Sequence, residues 1–335
     1  MNGSFSETIL HWYAENARDL PWRRTRDPYP VWLSEIILQQ TRIAQGTAYW
    51  HRFLERFPTV ESLAEASEDE VLRLWEGLGY YSRARNLHAA ARQVVERGHF
   101  PDTLEGIRGL KGVGPYTAAA IGSICFGLPA AVLDGNVYRV LARCFGLATP
   151  IGTPAAQKEF SKLAESLLPE DAGTYNQAMM DFGALQCTPV NPDCLTCPLQ
   201  ARCNAFRTGR VELLPVKKPA AKVVERRFSY TYISYKGQTA IRRRGPGDIW
   251  QGLWEPYVSE DAPLPGSLLL KANVKHQLTH QTLLANFYWL RPAGKPDLPE
   301  GYRWIPEAEL DRYAKPRLFV LLLETLAQQQ INNTI

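Results

Sequence analysis

The hydrophobic pattern of the chain changes near Thr208, and this change limits the possible folds more than any other feature. Before it, apolar residues recur at the spacing of helices. Ser67 and Glu70 form a potential capping box, Gly98 follows a helical stretch as a stop signal, and Thr153 precedes a proline at a helix start. After Thr208 the pattern alternates, as it does in strands. The sequence therefore predicts an all-helical domain followed by an α+β domain.

The predicted domains cover residues 1–207 and 228–335, and a linker over residues 208–227 joins them. This linker carries five Lys or Arg residues after Leu214 and has no periodic apolar face. The second domain is predicted to contain an alternating stretch over 226–244 with a turn at Lys236–Gly237, further strand over 273–290 and a closing helix over 315–330.

Composition places the chain among ordinary globular proteins. It has 335 residues, of which 45% are hydrophobic and 21% charged, enough for two cores. No apolar run approaches the roughly 20 residues of a membrane span, and the stretch MNGSFSETIL has neither the basic start nor the apolar segment of a signal peptide. We expect a cytoplasmic protein without a membrane partner. Basic residues outnumber acidic ones only after Arg207, so composition alone does not indicate nucleic acid.

Four of the six cysteines lie within seventeen residues, separated by six, two and five residues. They are Cys187, Cys194, Cys197 and Cys203. Disulfides are not expected in the cytoplasm, whereas thiolates this close together, among several prolines, are typical of a metal centre. Zinc sites usually carry two C-x-x-C pairs and this stretch has one, so zinc and iron–sulfur remain equal alternatives on spacing alone. Cys125 and Cys144 lie in apolar stretches, which indicates core packing.

The stretch LKGVG, residues 110–114, precedes a helix that should begin at Pro115. Gly112 and Gly114 permit tight turns and close approach of another molecule to the backbone. The free amides of the first helical turn would then favour an anion. The alternative is a helical hairpin whose glycines serve only for turning. A nucleotide-binding P-loop is excluded because no Gly-Lys-Ser/Thr follows.

Two carboxylates in the helical part have unlike surroundings. Glu35 has Trp32 and Leu38 among its neighbours three and four residues away on a helix, and this desolvation should raise its pKa and suit it to act as a general acid. Asp134 precedes a helical face that includes Val137, so it should lie at an N-cap. The alternatives are a buried glutamate with a purely structural role and a plain helix cap.

Together these motifs resemble the adenine DNA glycosylase (MutY) family of the helix-hairpin-helix, or endonuclease III, superfamily. The resemblance is carried by LKGVGPYTAA, VLDGNV, SEIILQQT, GLGYYSRARNL and the cysteine spacing. It implies a helix-hairpin-helix glycosylase domain with an iron–sulfur loop over 187–203, followed by a MutT-like (Nudix-like) α+β domain. It also implies one 4Fe-4S cluster on the four cysteines. The expected partner is double-stranded DNA containing adenine opposite 8-oxoguanine or guanine, bound by a monomer associated with the bacterial nucleoid.

The resemblance also implies roles for individual residues. Glu35 would protonate an adenine flipped out of the duplex, Asp134 would stabilise the oxocarbenium ion, and Tyr116 and Asn136 would position this aspartate and the attacking water. The product would be an intact strand with an abasic site. Further positions match DNA contacts: Gln40 and Tyr80 around the lesion, Arg23 and Gln177 near the adenine, and Leu110, Lys111, Gly112, Val113 and Gly114 at a phosphate. Leu278, Thr279 and His280 match the residues that recognise 8-oxoguanine.

Two residues depart from the family pattern: Lys111 stands where proline is common, and Leu278 where an aromatic residue is common. The second domain lacks the carboxylate pairs that cleave pyrophosphate, so it should recognise its ligand and not hydrolyse a nucleotide. An endonuclease III-like enzyme that also cuts the strand would need an amine where this chain has Tyr116. A non-catalytic DNA-binding module would have no reason to combine Glu35 with Asp134.

Overall fold

The computed structural model describes residues 4–219 and 223–332. Within these ranges the chain divides into two compact units: residues 4–64 with 89–219, and residues 65–88 with the residues from 223 onward. The sequence assigned residues 65–88 to the helical domain, whereas the structure groups them with the C-terminal residues. The physical reason is a set of polar contacts inside the second unit: Glu68 pairs with Arg243, and Glu76 accepts from the backbone N–H of Lys315 at 3.1 Å.

Helices account for the regular structure before residue 208. They are α1 Phe5–Asn16, α2 Pro28–Ile37, α3 Ile43–Arg56, α4 Val60–Glu65, α5 Glu68–Leu74, α6 Ser82–Arg97, α7 Leu104–Arg108, α8 Pro115–Phe126, α9 Gly135–Phe145, α10 Pro154–Ser166, α11 Ala172–Leu185 and α12 Asn204–Arg207. The sequence signals are confirmed where they were used: Ser67 caps α5, Gly98 follows α6 with φ +81°, and Thr153 caps α10.

The core of the first unit lies where α11 packs against α9, α1 and α8. Its fully buried side chains include Val140, Leu141, Phe160 and Phe182. These apolar faces hold the start of α9 and the middle of α11 at fixed positions, because a close-packed core resists even small displacements. Asp134 lies at the start of α9, Tyr116 in the first turn of α8 and Gln177 on α11.

The beginning of the predicted linker packs on the first unit. Leu214 is 3% exposed and belongs to that unit's core, and the Ile151 N–H donates to the Val216 carbonyl at 2.8 Å. The short apolar stretch around Leu214 has no repeat and therefore gave no periodic signal, but burying one leucine is worth about 2 kcal/mol. The end of the predicted linker already belongs to a strand that begins at Val224, and residues 220–222 lie outside the described ranges.

The second unit contains two sheets and a closing helix. Its elements are β1 Val224–Ile233, β2 Gln238–Arg243, β3 Trp254–Glu255, β4 Tyr257–Ser259, β5 Leu268–Gln277, β6 Gln281–Leu290, β7 Tyr302–Pro306 and α13 Arg317–Asn332. One sheet has the order β4-β1-β6-β5, with β1 and β6 parallel and the other pairs antiparallel; the second has the order β3-β2-β7. Helix α13 packs against β1, β5 and β6 and completes the core.

The predicted turn between the first two strands is confirmed. Lys236 and Gly237 both adopt left-handed backbone, with φ of +49° and +73°, as a tight two-residue hairpin turn requires. Beyond a bridge between Tyr235 and Gln238, however, β1 and β2 enter different sheets. Alternation marks each strand but does not reveal its partner. In the described ranges, no helix has the length and apolar character needed to cross a bilayer.

Candidate active site

One cavity of the first unit, of about 560 Å³, collects most of the polar residues selected from the sequence. Helix α2 contributes Glu35, α8 contributes Tyr116, and the start of α9 contributes Asp134 and Asn136. The cavity lining also includes Arg23, Gln40 and Gln177. These residues are far apart in the chain, and the packing of the helices brings them to one site.

Among the described residues, one side chain forms a hydrogen bond with the carboxyl group of Glu35. The Tyr116 hydroxyl donates to its Oε2 at 2.8 Å. Burial raises the pKa of Glu35 to about 6, and the nearby negative charge of Asp134 acts in the same direction, while the Tyr116 hydrogen bond opposes both. The predicted direction of the pKa shift and its predicted cause are both confirmed. A carboxyl group with this pKa can carry a proton near neutral pH and donate it to a bound base.

Asp134 is indeed the N-cap of α9, and it also faces the cavity. Its Oδ1 accepts from the Val137 N–H and its Oδ2 from Asn136 Nδ2, both at 2.7 Å. Burial raises the pKa of Asp134, and these two hydrogen bonds oppose that increase by stabilising the charged form. Both oxygens are therefore fixed by the first turn of the helix, so capping and a chemical role do not exclude each other.

Sequence inspection missed Asp181, a fully buried carboxylate on α11. Arg23 donates to both of its oxygens, at 2.6 and 2.7 Å, and Arg18 donates from Nε at 2.8 Å. Burial raises the pKa of Asp181, but the bonds from these two arginines outweigh it and leave the pKa below its usual value. The sequence does contain a signal for this residue: Asp181 lies four residues after Gln177, a spacing that places both on the same face of a helix.

Arg139 was also missed. From α9 this buried arginine donates to Asn136 Oδ1 at 2.8 Å, to the Gly183 carbonyl at 2.6 Å and to the Cys187 carbonyl at 2.7 Å. One rigid guanidinium therefore joins the residue that holds Asp134 to the first residue of the cysteine loop. In the sequence it is an ordinary arginine in an apolar helix, so only the fold reveals these partners.

The four clustered cysteines line one small cavity, together with Cys144 and Arg143. Arg143 is 3% exposed; its guanidinium donates to the Thr188 carbonyl at 2.7 Å and to Cys187 Sγ at 3.4 Å, and no carboxylate of the described residues pairs with it. In residues 4–219 and 223–332, no three or more His, Cys, Asp or Glu side chains converge so that they could hold a metal ion. A four-iron cluster, however, takes one thiolate on each iron and carries negative charge with its ligands. The thiols and the unpaired cation fit such a group.

The hairpin loop presents mainly backbone, and among its residues Lys111 has an exposed side chain. Leu110 and Val113 are buried, and the N–H groups of Lys111 and Val113 are already bonded, to Gln93 Oε1 and to the Leu110 carbonyl. Gly112, with φ +77°, and Gly114 have amides without a hydrogen-bond partner among the described residues. No side chain caps α8, so the amides of its first turn also remain open to a ligand.

The remaining predicted residues lie in the second unit and line a second cavity, of about 630 Å³. Tyr80, which is 46% exposed, shares a short hydrogen bond with Thr279, and Leu278 and His280 lie beside it in the loop between β5 and β6. Leu278 packs against the core of this unit. Tyr80 and Gln40 both have left-handed backbone, with φ of +47° and +58°, a strained conformation that is common at functional sites.

Comparison with known proteins agrees with this architecture. The family model described as HhH-GPD superfamily base excision DNA repair protein matches residues 33–166, and that of a NUDIX domain matches residues 229–325. An adenine DNA glycosylase from Buchnera aphidicola subsp. Baizongia pistaciae is 34% identical over 302 residues, covering 85% of this chain and 86% of its own. The human adenine DNA glycosylase is 44% identical over 223 residues, covering 63% of this chain and 41% of its own.

Solved structures agree with the fold over 61% of the chain. A thermostable thymine-DNA glycosylase has a TM-score of 0.56 and 31% identity, with 61% of this chain and 95% of that one covered. A trapped endonuclease III–DNA covalent intermediate has a TM-score of 0.53 and 22% identity, with coverages of 61% and 94%. The predicted fold class, a helix-hairpin-helix glycosylase domain followed by a Nudix-like α+β domain, is confirmed.

Proposed function

The chain belongs to the adenine DNA glycosylase family, whose members are hydrolases of N-glycosyl compounds acting in base-excision repair, and we propose that it removes adenine mispaired with 8-oxoguanine or guanine. The observation that carries this proposal is the pair of carboxylates in one cavity. Glu35 has a pKa raised to about 6, and Asp134 is fixed by two hydrogen bonds. Two carboxylates in unlike surroundings are the usual means of cleaving a glycosidic bond.

In the proposed reaction the flipped adenine enters this cavity and Glu35 donates its proton to a ring nitrogen of the base. The bond between the base and the sugar then breaks, and its electron pair leaves with neutral adenine. Positive charge develops on the sugar, and the Asp134 carboxylate stabilises it. Water adds to the sugar carbon and loses a proton, which restores the acid. Asn136 and Tyr116 hold the two carboxylates through the hydrogen bonds described above.

The residues that line the same cavity support the proposal that the enzyme leaves the DNA strand intact. Cleavage of the strand by the enzyme requires an amine that can form a Schiff base with the opened sugar. Among the described residues that line the cavity there is no lysine, and the hydroxyl of Tyr116 points to Glu35. The proposed product is therefore free adenine and an abasic site.

The rest of the molecule has supporting roles in this proposal. The open amides of Gly112, Gly114 and the first turn of α8 hold a DNA phosphate without reading the base sequence. Leu278, Thr279 and His280, with Tyr80, recognise the 8-oxoguanine, and Gln40 contributes to separating the base pair. The cysteines hold one 4Fe-4S cluster, which ties the loop over 187–203 into a fixed conformation. Cys144 remains a core residue beside them.

The test is base release under single-turnover conditions from duplexes that carry adenine opposite 8-oxoguanine, guanine or thymine. Glu35→Gln removes the proton that the base must receive, and Asp134→Asn removes the stabilising charge while keeping a capping side chain. Each variant should bind the mismatched duplex but release adenine at least about 100-fold more slowly, the lower end of general-acid effects. A decrease of less than threefold for either variant would exclude the role assigned to that residue. Tyr138→Phe is a suitable control, because the hydroxyl of Tyr138 lies at the surface and donates to Gln157.

A further inference from the structure

Tyr13 stands behind the cavity and touches two of the residues that line it. Its hydroxyl lies 3.2 Å from Gln177 Oε1 and 3.3 Å from Arg23 Nη1. Tyr13 itself is not part of the cavity lining. It lies on α1, in the stretch LHWYAEN, and nothing in that stretch distinguishes it from a core aromatic residue.

The direction of these hydrogen bonds follows from the chemistry of the partners. A guanidinium can only donate, so the oxygen of Tyr13 accepts from Arg23. The single proton of the hydroxyl is then available for Gln177, and in the structure the carbonyl oxygen of Gln177 accepts it at 3.2 Å. Burial raises the pKa of Tyr13, so the hydroxyl keeps its proton near neutral pH. The guanidinium of Arg23 is itself fixed by buried Asp181, whose two carboxylate oxygens accept hydrogen bonds from it.

The two partners of Tyr13 depend on it to different degrees. Arg23 is held without it, by two hydrogen bonds to Asp181 and by a contact of 3.4 Å with the Arg18 carbonyl. For the Gln177 amide, the Tyr13 hydroxyl is the only hydrogen-bond partner among the residues that the structure describes. The two ends of a glutamine amide have nearly the same shape and opposite hydrogen-bonding polarity, so a neighbour must decide which end faces the cavity.

We propose that Tyr13 is a positioning residue that fixes Gln177 with its amide NH2 toward the cavity, so that the site accepts a base presenting a ring-nitrogen acceptor there. This inference rests on the proposed function, because it concerns how the flipped base is recognised. Adenine has unprotonated nitrogens at positions 1, 3 and 7, and each can accept from an amide NH2. With the amide reversed, the carbonyl oxygen would face a ring nitrogen, and two acceptors would oppose each other without a proton between them.

The test is a double-mutant cycle of Tyr13→Phe and Gln177→Met. Tyr13→Phe removes one hydroxyl and keeps the packing, and Gln177→Met keeps the length of the side chain but removes both ends of the amide. Loss of one neutral hydrogen bond corresponds to about fivefold in rate. Tyr13→Phe should therefore release adenine about fivefold more slowly in the native background and equally fast in the Gln177→Met background. Tyr138→Phe, a second tyrosine that donates to a glutamine, should have no effect in either background.

Modified substrates give a readout that a merely structural role would not change. Duplexes carrying 1-deaza-, 3-deaza- or 7-deazaadenine each lack one ring acceptor, and intrinsic leaving-group differences cancel when a variant is compared with the native protein on the same base. For one of the three analogues, Tyr13→Phe should not slow base release any further, because that analogue lacks the ring nitrogen that accepts from Gln177. Additive losses in the cycle, or an equal effect of Tyr13→Phe on all three analogues, would overturn the inference. If instead the native protein releases no adenine, or Glu35→Gln releases it as fast as the native protein, the proposed function itself fails.

Discussion

The hydrogen bond from Tyr116 to Glu35 allows the acid assignment to be tested through pH. A hydrogen bond to a charged group contributes about 1.5–3 kcal/mol, and about 1.4 kcal/mol corresponds to one pKa unit. The bond stabilises the ionised carboxylate, so Tyr116→Phe should raise the pKa of Glu35 from about 6 by about one unit. The alkaline limb of the rate profile, where the acid loses its proton, should therefore begin about one pH unit higher in the variant than in the native protein.

The assay is single-turnover release of adenine from one duplex between pH 5 and 8.5, with enzyme in excess. Tyr116→Phe also removes any contact of this hydroxyl with the sugar, so the absolute rate is expected to fall. The ratio of the variant rate to the native rate is more informative: it should increase about tenfold between low pH and pH 8, since one unit of pKa changes the protonated fraction tenfold there. A constant ratio across the whole range would refute the assignment of Glu35 as the titrating acid. Tyr138→Phe, measured in parallel, should leave the profile unchanged.

Three further predictions concern other parts of the molecule. The purified protein should be brown and contain about four irons per chain; a colourless, active protein with stoichiometric zinc would contradict the cluster assignment. Thr279→Ala combined with His280→Ala should reduce the preference for 8-oxoguanine over guanine by about tenfold, the equivalent of one or two hydrogen bonds. The rate of excision opposite guanine should stay within about twofold of native. Equal losses of rate on both substrates would indicate a structural role for the two residues. Tyr116→Lys should gain borohydride trapping and strand nicking, because it places a primary amine beside the reacting sugar; efficient trapping by the native protein would refute the claim that it leaves the strand intact.

Prediction from sequence succeeded where the signal is local. Helix ends at Ser67, Gly98 and Thr153 depend on interactions within a few residues, and the Lys236–Gly237 turn depends on two backbone conformations. The desolvation of Glu35 could also be inferred, because its helical neighbours supply much of its apolar surroundings. The assignment of residues 65–88 could not, since it depends on contacts such as Glu68 with Arg243, 175 residues apart in the chain.

The polar residues behind the cavity show the same limit. Asp181, Arg139 and Tyr13 acquire their roles from partners that include residues distant in the chain, and none of them stands out in its own stretch of sequence. A family resemblance transfers the residues that match a motif, and it therefore selected residues such as Glu35 and Asp134 that line the cavity. The residues that orient the cavity-lining side chains belong to no motif, and only their hydrogen bonds in the folded protein identify them.

Asp134 illustrates why a structural and a functional interpretation of one residue should not be treated as rivals. An N-cap carboxylate accepts from the first turn of its helix, and the positive end of the helix dipole favours its ionised form. In this chain the same arrangement supplies a carboxylate with both oxygens fixed, by Val137 and Asn136, at the edge of a cavity that also contains an acid. Burial raises the pKa of Asp134, and without the cap the group would be more easily protonated and less able to stabilise a cation. The capping hydrogen bonds thus favour the charged form of this carboxylate and fix the direction of its oxygens. Asp134→Asn separates the two contributions because it preserves the cap and removes the charge.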